Sequence, residues 1–135
     1  MKFNVPKITK ILNAGDYAAE LEPVKIVVWA NPPKSLLNRH DAMIKAFGEA
    51  MRKRMALADE DEKTLAAEVE AVRSEMCAVF SQLWSAGTDA ETHWSQEEIN
   101  TLITGMADTD PQLWPWLRNR TLAMIREHRE TAKKD

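Results

Sequence analysis

Three histidines and one cysteine are the side chains of this 135-residue chain that most often act as metal ligands or nucleophiles. His40, His93 and His128 lie far apart in the sequence, and none stands in a His-x-x-x-His or Glu-x-x-His arrangement. Cys77 has no adjacent histidine or basic residue that would lower the pKa of its thiol, so we interpret it as a buried apolar residue. These spacings predict no metal site, and we expect no cofactor.

Acidic residues are frequent, but their pattern does not suit general acid catalysis. Asp59-Glu60-Asp61-Glu62 is a run of four carboxylates without the apolar surroundings that raise the pKa of a catalytic acid. None of the four glycines belongs to a phosphate-binding loop. We therefore expect a protein that is not an enzyme. Only a pocket joining one of the histidines to carboxylates would reverse this expectation.

Charge is segregated along the chain, although the net charge is only −3. Residues 1–58 carry ten basic and five acidic side chains, residues 59–112 two and thirteen, and residues 113–135 six and three. The basic cluster Arg52-Lys53-Arg54 is short, has no interleaved aromatic residues and lies close to the acidic run. This pattern favours a solvated helix face over a nucleic-acid interface.

Length and hydropathy predict one soluble domain over residues 1–135. The N-terminal sequence lacks the apolar core of a signal peptide, and no run approaches the roughly twenty apolar residues of a membrane span. We expect a cytoplasmic location without membrane contact.

Two long segments with helical periodicity should hold these side chains in place. Mostly apolar residues recur at steps of three or four in both segments, first at Leu36, His40, Met43, Ile44, Phe47, Met51 and Met55, then at Leu65, Val69, Val72, Met76, Phe80 and Leu83. We assign Glu68, Glu70, Arg73 and Glu75 to the solvated side of the second segment. The acidic run between the segments suits the start of a second helix. The pattern predicts an antiparallel helical hairpin over residues 34–85, with Phe47, Val72, Met76 and Phe80 buried against one another.

The segment before this hairpin contains the clearest strand signal. Residues 24–30 are rich in β-branched residues and end at Asn31-Pro32-Pro33. Residues 17–21 are the expected partner, so that residues 17–30 form a small β hairpin. We interpret residues 5–12 as a short helical turn.

Two shorter helices are expected in the C-terminal part, between residues 95 and 131. Ser95-Gln96-Glu97-Glu98 has the pattern of a capping box, and Asp110-Pro111 suits the start of a last helix that bends or restarts at Pro115. The fold class predicted is therefore mainly α: a long antiparallel helical hairpin and two shorter C-terminal helices, with a small N-terminal β hairpin.

Large apolar residues beyond the needs of one small core indicate a binding surface. Trp114 and Trp116 would diverge by about 200° on a helix, so we expect one indole to be exposed or to lie in a partner. On the strand, Val27 and Trp29 face away from Ile26 and its neighbours. We predict partner binding by Trp29, Trp114, Trp116 and Val27. The seven methionines suit either a plain core or an adaptable apolar surface.

The order of these features resembles that of the small tail assembly chaperones of long-tailed, siphovirus-like bacteriophages and their prophages. The residues that carry the resemblance are Glu22-Pro23-Val24-Lys25-Ile26-Val27-Val28-Trp29 running into Asn31-Pro32-Pro33, Leu83-Trp84, Trp94-Ser95-Gln96-Glu97-Glu98-Ile99, and Asp110-Pro111-Gln112-Leu113-Trp114-Pro115-Trp116-Leu117. The resemblance implies a non-enzymatic protein of the host bacterial cytoplasm. Such a protein binds apolar helices of the tape measure protein during tail assembly and is absent from the finished virion. Weak homo-oligomers are expected when the partner is missing.

Two other classes of protein share parts of this pattern. A phage structural or head-tail completion protein would have a similar helical core but would persist in the particle. A nucleic-acid-associated helical protein would use the basic cluster and the basic tail, and its affinity would fall steeply with salt. The acidic middle of the chain argues against the latter.

Overall fold

The computed structural model of the protein describes residues 6–56, 62–84 and 94–134. His93 and the acidic residues 59–61 lie outside these ranges. Within them the fold is mainly helical, with a two-stranded antiparallel sheet near the N-terminus, which confirms the predicted fold class. The elements in chain order are β1 (Thr9–Asn13), β2 (Lys25–Trp29), α1 (Lys34–Ala56), α2 (Glu62–Leu83), α3 (Gln96–Thr109) and α4 (Leu113–Lys134).

The first two helices form the predicted antiparallel pair. Arg39 Nε, near the start of α1, donates a hydrogen bond of 2.7 Å to Glu75 Oε1 in the second half of α2. Further along α1, Ala50 lies beside Glu68 near the start of α2. Part of each predicted apolar stripe is buried, namely Leu36 and Met43 on α1 and Val72, Phe80 and Leu83 on α2. The side chains of Met55 and Leu65 lie outside the description.

The sheet differs from the predicted hairpin in its first strand. Residues 25–29 form a strand as expected, but their partner is β1 and not residues 17–21, and the prediction of a helical turn over residues 5–12 is wrong. The register pairs Leu12 with Ile26, both fully buried, and Ile11 with Val27 on the outer face. The segment 17–21 contains two alanines and forms only a 3₁₀ turn, because it offers little side chain for a sheet face to pack.

The connection between the two strands is tightly folded. Asn13 Oδ1 accepts a hydrogen bond of 2.9 Å from the Gly15 backbone N–H, and the Ala14 N–H donates to the Val24 carbonyl at 3.1 Å. A Cβ at Gly15 would lie 2.8 Å from the Glu22 Cα, so only glycine fits this close approach.

The predicted capping box at the start of α3 is present. The Glu98 N–H donates to Ser95 Oγ at 3.1 Å, and the Ser95 N–H donates to Glu98 Oε1 at 3.5 Å. The description of the last two helices as shorter holds for α3, with 14 residues, but is wrong for α4, which has 22 and is as long as α2. Pro115 does not break α4, since it lies in the first turn, where a backbone N–H has no helical acceptor.

The core is centred on aromatic residues from α2 and α4. Phe80 and Trp84 are fully buried, with ring centroids 5.4 Å apart, and Trp114 packs edge-on against both at 5.1 and 5.9 Å. Phe80, Val72 and Cys77 are buried as predicted. The prediction that Phe47 is buried with them is wrong: 39% of Phe47 is exposed, because its side chain borders an opening between the helices. Met76 is only partly buried.

Candidate functional site

An apolar opening in the described part of the chain lies between all four helices. It is a partly open cavity of about 310 Å³, which we call the central cavity. Its apolar lining comes from α1, α2 and α3, namely Ile44, Phe47, Val69, Val72, Met76 and Ile103. Trp114 and Pro115 of α4 close the remaining side.

Helical spacing explains why these side chains meet. Val69, Val72 and Met76 follow one another at steps of three and four along α2, and Ile44 and Phe47 are three apart on α1. The two stripes face each other across the antiparallel pair, and the first turn of α4 covers one end. Because its lining residues come from four helices, the cavity is a property of the whole bundle and not of one element.

Two arginines also line the central cavity, and none of the described acidic residues does. The Nε atoms of Arg73 and Arg118 are buried and have no hydrogen-bond acceptor among the described residues. A terminal nitrogen of Arg73 bonds the Glu70 carboxylate one turn away, whereas the side chain of Arg118 makes no hydrogen bond or ion pair within the described ranges. The assignment of Arg73 to the solvated side is therefore only half right, since its outer end is accessible while its Nε is buried.

The four residues predicted to bind a partner are all partly buried in this chain. Trp114 lines the central cavity, whereas Trp116 packs on Tyr17 with ring centroids 5.4 Å apart. The two indoles do point to different neighbours, and both are partly buried, so neither is a fully exposed side chain. Partner binding by these residues stays a prediction.

Trp29 and Val27 lie together on the outer face of the sheet, away from the central cavity. Trp29 Nε1 donates to Asn31 Oδ1 at 3.0 Å, and the ammonium of Lys7 lies 4.4 Å from the centre of the Trp29 ring. Ile11 lies across from Val27 and is 65% exposed. This face is therefore partly capped by polar contacts, with Ile11 as its exposed apolar residue.

Within the described ranges, His40 and Cys77 are buried and belong to no group of three metal-ligating side chains. His40 is buried, its ring packs edge-on against Phe80 at 6.0 Å, and its Nδ1 lies 3.2 Å from Asp41 Oδ1. Burial raises the pKa of the Cys77 thiol, and the positive charge of Arg73 opposes this only in part. Among residues 6–56, 62–84 and 94–134, no three His, Cys, Asp or Glu side chains lie together as a metal site would require.

Sequence reasoning missed the central cavity and its two arginines. A signal was present, since Arg73 is the only basic residue of α2 beyond its first turn and directly follows the apolar Val72.

No helix in the described ranges is long and apolar enough to cross a membrane. Comparison of the chain with protein families, with curated proteins and with solved structures finds no match.

Proposed function

We propose that this protein is a non-enzymatic tail assembly chaperone that binds apolar helices of a phage tape measure protein. The observation that supports the proposal most is the central cavity, an apolar opening between four helices with the exposed Phe47 at its side. An exposed aromatic ring beside an apolar cavity is a common anchor for a partner's side chain.

The size of the central cavity matches side chains rather than an extended cofactor. A volume of about 310 Å³ is at the lower limit of small-molecule pockets and accommodates one or two large apolar side chains. Met76 and Ile44 line the cavity and are only partly buried, and the unbranched side chain of Met76 has several rotatable bonds. The lining can therefore adapt to different side chains of a partner. These properties suit a protein that binds many similar segments of one long partner.

Energetics require a partner that makes several contacts. Burial of one Leu or Phe side chain contributes about 1.5–3 kcal/mol. Association of two proteins costs at least about 4 kcal/mol in lost rotational and translational freedom. One anchor is therefore too weak by itself, and a helix with apolar residues on successive turns is favoured, as the resemblance to tail assembly chaperones implies for the tape measure protein.

Co-expression with a tape measure fragment from the same phage or prophage tests the proposal. The wild-type protein should keep the fragment soluble and co-purify with it. Phe47→Asp should abolish both effects, because it places a carboxylate where an apolar side chain would dock. Val24→Asp is the matched control, since Val24 is 37% exposed against 39% for Phe47 and does not line the central cavity.

Two results would count against the proposal. The first is a fragment that stays insoluble and unbound in the presence of the wild-type protein. The second is a Phe47→Asp variant that is folded by circular dichroism and solubilises the fragment as well as the wild type does.

A further inference from the structure

The geometry points to a second requirement for the partner, which rests on the proposed function. We propose that the central cavity binds a carboxylate together with an apolar side chain, both presented by one helix of the partner. The carboxylate belongs to an Asp or Glu that lies one helical turn from a large apolar residue. Arg118 is its main binding group, with Arg73 in support.

The charge of the cavity wall is the first argument. Two guanidinium groups line a cavity whose other described lining residues are apolar. The Nε–H groups of both arginines are buried and have no acceptor among the described residues, so no acceptor at these atoms offsets the charge of the guanidinium groups. An apolar occupant would leave two guanidinium charges beside an apolar side chain, whereas a carboxylate supplies the acceptor that planar guanidinium groups bind best.

Arg118 has more capacity for this than Arg73. Arg73 already bonds the Glu70 carboxylate, which neutralises part of its charge. Arg118 has no such partner in the described ranges, and it is half-buried, so an ion pair with it would be only partly screened by water.

The spacing of the lining residues sets the spacing expected in the partner. Trp114 and Arg118 are four residues apart on α4, as are Val69 and Arg73 on α2. Four residues rise by about 6 Å, so each arginine lies one turn from an apolar wall residue. A partner helix that lies along α2 or α4 would match both features with an apolar residue and an acid at positions i and i+4.

Synthetic helices test this requirement apart from the tape measure protein. The probes are blocked alanine-based peptides of about 20 residues, long enough to be helical in water. One carries two Leu residues a turn apart with Glu four positions beyond, the second has Gln in place of Glu, and the third keeps Glu but has Ala in place of both Leu. Calorimetric titration of the full-length protein gives the dissociation constants.

The Glu peptide should bind at least about tenfold more tightly than the Gln peptide, the factor expected for one hydrogen bond to a charged group. The peptide without Leu should not bind. Arg118→Met keeps the apolar stem and should remove most of the difference between Glu and Gln. Arg126→Met, the same change at an exposed position of α4, should preserve it.

The outcomes separate the two proposals. Equal binding of the Glu and Gln peptides would overturn the carboxylate requirement and leave the helix-binding function standing. Failure of both Leu-containing peptides to bind would overturn both. If Arg118→Met does not fold by circular dichroism, the comparison of Glu with Gln on the wild-type protein still decides the question.

Discussion

Replacement of Thr121 by Val should destabilise the protein although it changes the shape of the core very little. Trp84 Nε1 donates a hydrogen bond of 3.1 Å to Thr121 Oγ1, and both residues are fully buried. Valine is close to threonine in shape and in helix propensity but has no acceptor, so the indole N–H would remain buried and unpaired. The cost of such a donor is about 2 kcal/mol.

The melting temperature measures this cost. For 135 residues the entropy of unfolding is about 0.28 kcal/mol/K, so a loss of 2 kcal/mol lowers the melting temperature by about 7 °C. A double-mutant cycle isolates the hydrogen bond from other effects of the substitution. In a Trp84→Phe background the donor is absent, and Thr121→Val should then cost less than about 0.5 kcal/mol. An equal cost in both backgrounds would show that the hydrogen bond is not the cause.

Two further predictions concern the core and the turn before α4. Phe80→Ala should lower the free energy of unfolding by at least about 3 kcal/mol, because Phe80 is fully buried. Phe47→Ala should lower it clearly less, because Phe47 is 39% exposed. Similar losses of unfolding free energy for the two variants in chemical denaturation would contradict this difference in burial. The hydroxyl of Tyr17, the only tyrosine, donates to the Asp110 carboxylate at 2.9 Å, which raises the pKa of Tyr17 above its ordinary value of 10.0. The stability gained is therefore full below pH 10 and is lost as the pH rises through the folded-state pKa. Titration of tyrosinate absorbance should show a lower pKa in Asp110→Asn, and an unchanged titration curve would refute this assignment.

The helices could be predicted from the sequence because each carries its own signal. Apolar spacing identified α1 and α2, and the reciprocal pairing of Ser95 and Glu98 located the start of α3. These signals depend on residues within one turn of each other, so no knowledge of the fold is needed to find them.

The first strand could not be recognised in the same way. Ile8, Ile11 and Leu12 have a spacing that fits a helical turn as well as a short strand. Pairing with β2 decides the matter, through the register that joins Leu12 to Ile26 and the hydrogen bond from the Ala30 N–H to the Ile8 carbonyl at 2.8 Å. This pairing links residues more than ten positions apart, and local propensity contains no information about it.

The candidate site depends even more on the packing of distant elements, and α4 shows why. Its buried stripe, which includes Leu117 and Thr121, seals the core, while the neighbouring positions Trp114 and Arg118 line the central cavity. Positions 117 and 118 are adjacent in sequence, and nothing local predicts that one fills space and the other borders a void. The two stripes should therefore respond differently to substitution. Changes at Thr121 should lower the stability of the protein, and changes at Arg118 should alter the binding of acidic helices with little effect on folding, because the Arg118 side chain makes no hydrogen bond to the described residues.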